Sequence, residues 1–105
     1  MSKKGYHITK IEKGVLGELS KVEEEYLEFI DAKKQGSKIM MAIELSDMWG
    51  ACTAYLESPK TDEAETAIRY MNIVQNETKQ LGLELRDIVL FSIITERAFR
   101  NGFRK

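Results

Sequence analysis

The sequence is short of the residues that build extracellular or β-rich proteins: it has one cysteine, one histidine, one proline and one tryptophan in 105 residues. A single cysteine, Cys52, has no partner for an internal disulfide, so a secreted disulfide scaffold is excluded. No cationic, apolar, small-residue leader opens the chain, and the expected compartment is the reducing cytoplasm. An excess of either charge is also missing, with 16 Lys+Arg against 17 Asp+Glu. Without a strong positive balance, duplex nucleic acid loses its main electrostatic attraction and is not expected as a stable partner. The lone Pro59 leaves the chain free to form long helices. What is present, 43% hydrophobic and 31% charged residues, is enough for one domain spanning 1–105.

Hydrophobic spacing predicts four helices and no strand pair. Val15, Leu19, Val22, Tyr26 and Phe29 recur at intervals of 4, 3, 4 and 3, one stripe of a first helix over Thr9–Gln35 that Gly14 and Gly17 can loosen early. Gly36 then supplies a left-handed stop, and Ser37 can cap a second helix over Lys38–Glu57. A third begins at an N-capping Thr61 with Asp62 and Glu63 in its first turn, carries Ala64, Ala67, Ile68, Met71, Val74 and Thr78, and closes at Gly82. The fourth spans Leu83–Asn101, acidic at its start (Glu84, Asp87) and basic at its end. The run Ile88–Ile94 has no partner strand and reads as a buried helix segment.

From Ile39 to Leu56, 13 of 18 residues are apolar and lie around the whole circumference, so the second helix is the expected centre of an all-α bundle. Glu44 and Asp47 in its middle, and its marginal length, exclude a membrane span. So apolar a second helix, with the apolar middle of the fourth, exceeds what one small bundle covers, which predicts a homodimer or homotetramer.

Those two acids need compensation, because a buried carboxylate without a cation, hydrogen bond or metal costs several kcal/mol. The first helix offers a matching pair, Glu25 and Glu28. Glu28 and Glu44 each lie eight residues from Gly36, and Glu25 and Asp47 each eleven. In an antiparallel hairpin rising about 1.5 Å per residue, the pairs face each other at equal heights. Four converging carboxylates predict a metal, and all-oxygen ligation suits Mg²⁺ or Mn²⁺. Di-iron bundles use Glu-x-x-His pairs, whereas the only histidine, His7, stands outside any such motif and reads as a surface residue. Trp49 and Tyr26 could stack a base but lie among core-type residues and read as core or subunit interface; Met40, Met41, Met48 and Cys52 read as packing.

Glu24-Glu25-Tyr26-Leu27-Glu28 followed by Glu44-Leu45-Ser46-Asp47 resembles the E-E-x-x-E and E-x-x-D motifs of the MazG-like all-α nucleotide pyrophosphohydrolases. The likeness runs from Gly17 to Leu56, and Thr95–Gly102 looks like the ending of small, often phage-encoded members. The resemblance implies that Glu25, Glu28, Glu44 and Asp47 bind Mg²⁺ and that a nucleoside triphosphate is hydrolysed to monophosphate and pyrophosphate by water attack at the α-phosphorus. It makes Glu24 and Glu25 the catalytic candidates, Glu24 as an acid beside the ligands or a base for that water. Late-helix groups meet phosphate in relatives, which points here to Arg97, Arg100, Asn101 and Arg104, although the longer form of the family carries lysines there. The rival readings are a non-catalytic helical adaptor whose acids bind a basic partner, and hydrolysis of a related substrate such as a guanosine alarmone or a histidine-pathway nucleotide.

Overall fold

In a computed structural model, which describes residues 10–58 and 61–100 with side chains through residue 98, the chain forms four helices with no strand among the described residues. They are α1 (Leu19–Gln35), α2 (Lys38–Leu56), α3 (Ala64–Gln80) and α4 (Leu85–Arg100). His7, Pro59, Asn101, Gly102 and Arg104 lie outside the described residues.

The α1–α2 hairpin turns where expected. Gly36 has φ 73°, a left-handed conformation that a Cβ would strain, and its N–H closes the helix on the Lys33 carbonyl. The Ser37 hydroxyl accepts a hydrogen bond from the Met40 N–H at 3.2 Å, capping α2.

The start of α1 differs from the expectation. Residues 10–18 are not helical, and α1 begins ten residues later than Thr9. Gly17 adopts φ 91°, which breaks helical propagation, and the Glu18 N–H bonds to the Val15 carbonyl in a turn. Val15 is consequently exposed rather than part of the stripe, which starts at half-buried Leu19. Upstream, the chain is pinned to the helix: the Gly14 N–H donates to Glu24 Oε1 at 2.8 Å, and the Val15 N–H to Ser20 Oγ at 3.0 Å. A Cβ on Gly14 would lie 2.3 Å from the Ser20 carbonyl oxygen, so only glycine fits this approach.

Thr61 does not cap α3; that position belongs to Glu63. The Thr61 hydroxyl instead donates back to the Tyr55 and Ser58 carbonyls, tying the connection to the end of α2. The Tyr55 hydroxyl receives the Glu63 N–H at 2.8 Å and donates to Asp62 Oδ1 at 3.1 Å. Along α3 the buried seam is Ala67, Val74 and Thr78 with half-buried Met71, whereas Ala64 and Ile68 face outward. Ile68 lies one position off the seam, a rotation of about 100°, whereas Ala64 is in phase with it but sits at the first residue of the helix.

α2 is the central element and packs against all three other helices. Its interior face carries Leu45, Met48, Ala51, Cys52 and Tyr55, and two buried clusters form on it. One joins Val22, Ala51, Cys52, Tyr55 and Ala67; the other joins Phe29, Leu45, Met48, Val74 and Ile88. Its first turn is less covered than the all-round apolar pattern predicts, with Ile39 75% exposed. α1 and α4 lie against α2 without approaching each other among the described residues. A cleft is left between them.

The Ile88–Ile94 segment is helical as expected, but within one chain it is not buried. Only Ile88 reaches the core; Leu90, Phe91, Ile93 and Ile94 are exposed. α4 rests on α2 and touches α3 lightly, so most of its circumference has no neighbour among the described residues. No helix among the described residues is long and apolar enough to cross a membrane.

Candidate metal centre

The hairpin register brings the acids of α1 and α2 together. One carboxylate oxygen each from Glu25, Glu44 and Asp47 lies within 4.8 Å of the others, and the same holds for Glu24, Glu25 and Glu28. Glu25 belongs to both groups, so the four expected ligands and Glu24 form one continuous acidic wall. Glu44 is fully buried, Glu24 and Glu25 nearly so, and Glu28 and Asp47 are half-buried. Of the pairs equally distant from Gly36, Glu25 and Asp47 share a trio, whereas Glu28 and Glu44 fall in different trios joined through Glu25.

The electrostatics of the wall are uneven. Burial, then the neighbouring Glu28 carboxylate, pushes Glu25 up to about 7 against the pull of Lys21. Its Oε1 is buried and accepts no hydrogen bond, while Oε2 pairs with the Lys21 ammonium at 3.0 Å. Glu24 goes the other way. Burial works to raise it, but the Gly14 N–H, Lys21 and Lys13 outweigh that and hold its carboxyl below the usual range. Its Oε1 accepts from both Gly14 and Lys21, and its Oε2 is 3.9 Å from Lys13. Glu24 therefore anchors the segment before α1, a role the motif did not reveal.

Lys21 is the group that motif reading missed. Its ammonium bridges Glu24 at 3.1 Å and Glu25 at 3.0 Å. Burial would pull its pKa down, yet the two carboxylates override this and raise it. The signal was present: Lys21 stands three and four residues before these acids, the spacing at which helical side chains meet.

The cleft opens beside the wall and encloses about 520 Å³. Lys21 and Glu25 line it from α1, Asp47, Trp49 and Gly50 from α2, and Val89, Ile93 and Glu96 from α4. Trp49 is half-buried, packed on the larger core cluster and edging the cleft. Tyr26 packs edge-on against Tyr70 with ring centroids 5.3 Å apart. Cys52 is buried and its thiol is pushed up to about 12 by burial, which leaves it an unreactive core residue.

Of the expected phosphate contacts, Arg97 is exposed and does not line the cleft. Arg100 ends α4 with its side chain outside the described set, and Asn101 and Arg104 lie beyond it. Lys21 is the cation that the described residues place in the cleft.

No known family, curated protein or solved structure matches this chain. The chemistry of the site therefore rests on its own residues. An all-oxygen set, a shared carboxylate with an unsatisfied buried oxygen and a neighbouring open cleft fit a hard divalent cation such as Mg²⁺ or Mn²⁺.

Proposed function

We propose that the protein is a Mg²⁺-dependent nucleoside triphosphate pyrophosphohydrolase, splitting a (d)NTP and water into (d)NMP and pyrophosphate. The observation that carries this reading is the convergence of Glu25, Glu44 and Asp47 from two helices at the wall of a nucleotide-sized cleft, with Glu28 joined through Glu25. In the reaction, water adds to the α-phosphorus and the bond from that phosphorus to the bridging oxygen of the β-phosphate breaks. A divalent ion held by these carboxylates would neutralise phosphate charge and lower the pKa of a coordinated water.

The chain's own residues supply position and charge. Glu25, Glu28, Glu44 and Asp47 hold the ion; the buried setting of Glu44 and Glu25 keeps competing water away from the ligating oxygens. Glu25, which lines the cleft, and Glu24 beside it are the candidates to accept the proton of the attacking water. With its pKa lowered and both oxygens engaged, Glu24 serves chiefly to hold Lys21 and the Gly14 segment in place. The apolar side of the cleft, formed by Trp49, Val89 and Ile93, suits the nucleoside moiety.

A second copy of the chain covers the exposed face of α4, giving a homodimer or homotetramer; Leu90, Phe91 and Ile94 form an apolar row there. The same row favours the adaptor reading, and metal separates the two. For a metal centre, Mn²⁺ binds with an electron paramagnetic resonance signature of oxygen ligation and raises the melting temperature, and Glu44→Gln loses both effects. An adaptor shows neither, and equal binding by Glu44→Gln would sink the ligand assignment.

A further inference from the structure

Lys21 sits where an enzyme handling a metal and a polyphosphate has most use for a movable cation. Its side chain is 26% exposed, and its ammonium lies at salt-bridge distance from two carboxylates that are both more than nine-tenths buried. Each of those carboxylates belongs to an acidic trio, and Glu25 belongs to both. Lys21 also lines the cleft beside Trp49, Asp47 and Glu96. The side chain thus has one end of its range at the acidic wall and an open space next to it.

Two cations cannot share Glu25 without cost. A divalent ion on the trio of Glu25, Glu44 and Asp47 would place two positive charges a few ångströms from an ammonium that is 3.0 Å from Glu25 Oε2. The repulsion works at the same carboxylate that attracts both. Lysine is suited to yield, because its charge rides on a flexible four-carbon stem and is not locked in a planar fork as in arginine. Among the described residues lining the cleft, the other charged groups are Glu25, Asp47, Glu57 and Glu96, all acidic. Lys21 is therefore the cationic group that the described lining offers to an anionic ligand entering the cleft.

Resting on the proposed pyrophosphohydrolase reading, we infer that Lys21 is an exchangeable counter-ion: it neutralises Glu24 and Glu25 in the metal-free protein and transfers its charge to the polyphosphate when metal and substrate load. It is a binding and positioning residue, separate from the metal ligands. Before any metal arrives, it offsets part of the repulsion within the wall, at Glu24 and Glu25. It also makes metal and polyphosphate bind with mutual reinforcement, since the first frees the cation that the second engages.

The test measures Mn²⁺ affinity without nucleotide, by calorimetry, and then pyrophosphate affinity of the Mn²⁺-loaded protein. Lys21→Met and Lys21→Gln remove the competing charge. Both should bind Mn²⁺ about tenfold more tightly than the unaltered protein, and the loaded variants should bind pyrophosphate about tenfold more weakly. Lys21→Arg should restore pyrophosphate binding to within a few-fold. As a control for the loss of a lysine ion pair elsewhere, Lys33→Met, whose native ammonium lies 3.0 Å from Glu77 Oε2, should change neither affinity. Unchanged or weaker Mn²⁺ binding by both neutral variants would overturn the exchange, as would unchanged pyrophosphate binding. If Mn²⁺ binds neither the unaltered protein nor the variants, the metal centre itself is refuted and the exchange with it, so the two failures are told apart.

Discussion

Removing metal and raising the pH should weaken this protein in a window set by Glu25. Its carboxyl is raised from 4.5 to about 7 in the folded chain, mainly by burial and by Glu28. A raised folded pKa means that the native state holds this proton more tightly than the unfolded state does. The stabilisation is fully present below pH 4.5 and is lost as the pH climbs through 7. A difference of about 2.5 units at about 1.36 kcal/mol each gives roughly 3 kcal/mol in all, of which roughly 2 kcal/mol is lost between about pH 5.5 and 8.5. For a chain of this size that window corresponds to a fall of roughly 8 to 16 °C in melting temperature. The assay is thermal unfolding followed by circular dichroism in a metal chelator, at half-unit steps from pH 5.5 to 8.5. Glu24, whose pKa is lowered, loses its contribution only as the pH falls below the usual carboxylate range, outside this window. Glu25→Gln, which cannot ionise, should flatten the slope. Excess Mg²⁺ should restore more stability at pH 8.5 than at pH 5.5, since the ionised form is the ligand. An equal slope in Glu25→Gln, or greater metal-free stability at pH 8.5, would refute the burial argument.

Two further outcomes are expected. Gly14→Ala forces a Cβ to within 2.3 Å of the Ser20 carbonyl and strains the Glu24 anchor; it should cost about 1 to 3 kcal/mol in denaturant unfolding and expose the segment before α1 to proteolysis. Ile94→Asp, at a side chain 60% exposed on α4, should shift the sedimentation coefficient toward that of a single chain while leaving helical content unchanged.

Regular spacing made the helices legible, and local exceptions hid their edges. Gly36 and Ser37 act through the residues beside them, so the α1–α2 turn could be read directly. The late start of α1 depends on a glycine at φ 91° and on a hydrogen bond from Gly14 to Glu24, ten residues away, which periodicity does not encode. Thr61 has a capper's chemistry, but the Tyr55 and Ser58 carbonyls claim its hydroxyl first. The apolar content of α4 fixed its helical state and not its burial, because burial depends on which neighbours the chain supplies. Equal counting from Gly36 paired Glu25 with Asp47, which share a trio, and Glu28 with Glu44, which do not; height along a hairpin follows from sequence distance, but the direction of each side chain around its helix does not. Lys21 was passed over because attention to acids looks for what repels, and the cleft emerged only from the separation of α1 and α4.

The central claim is tested most directly by identifying the products of a nucleoside triphosphate panel in ¹⁸O-labelled water with Mg²⁺, using liquid chromatography and mass spectrometry. The account predicts equimolar monophosphate and pyrophosphate with the label in the monophosphate, and no turnover in chelator or by Glu44→Gln. Release of orthophosphate with a diphosphate, label in the pyrophosphate, or undiminished turnover by Glu44→Gln would contradict it.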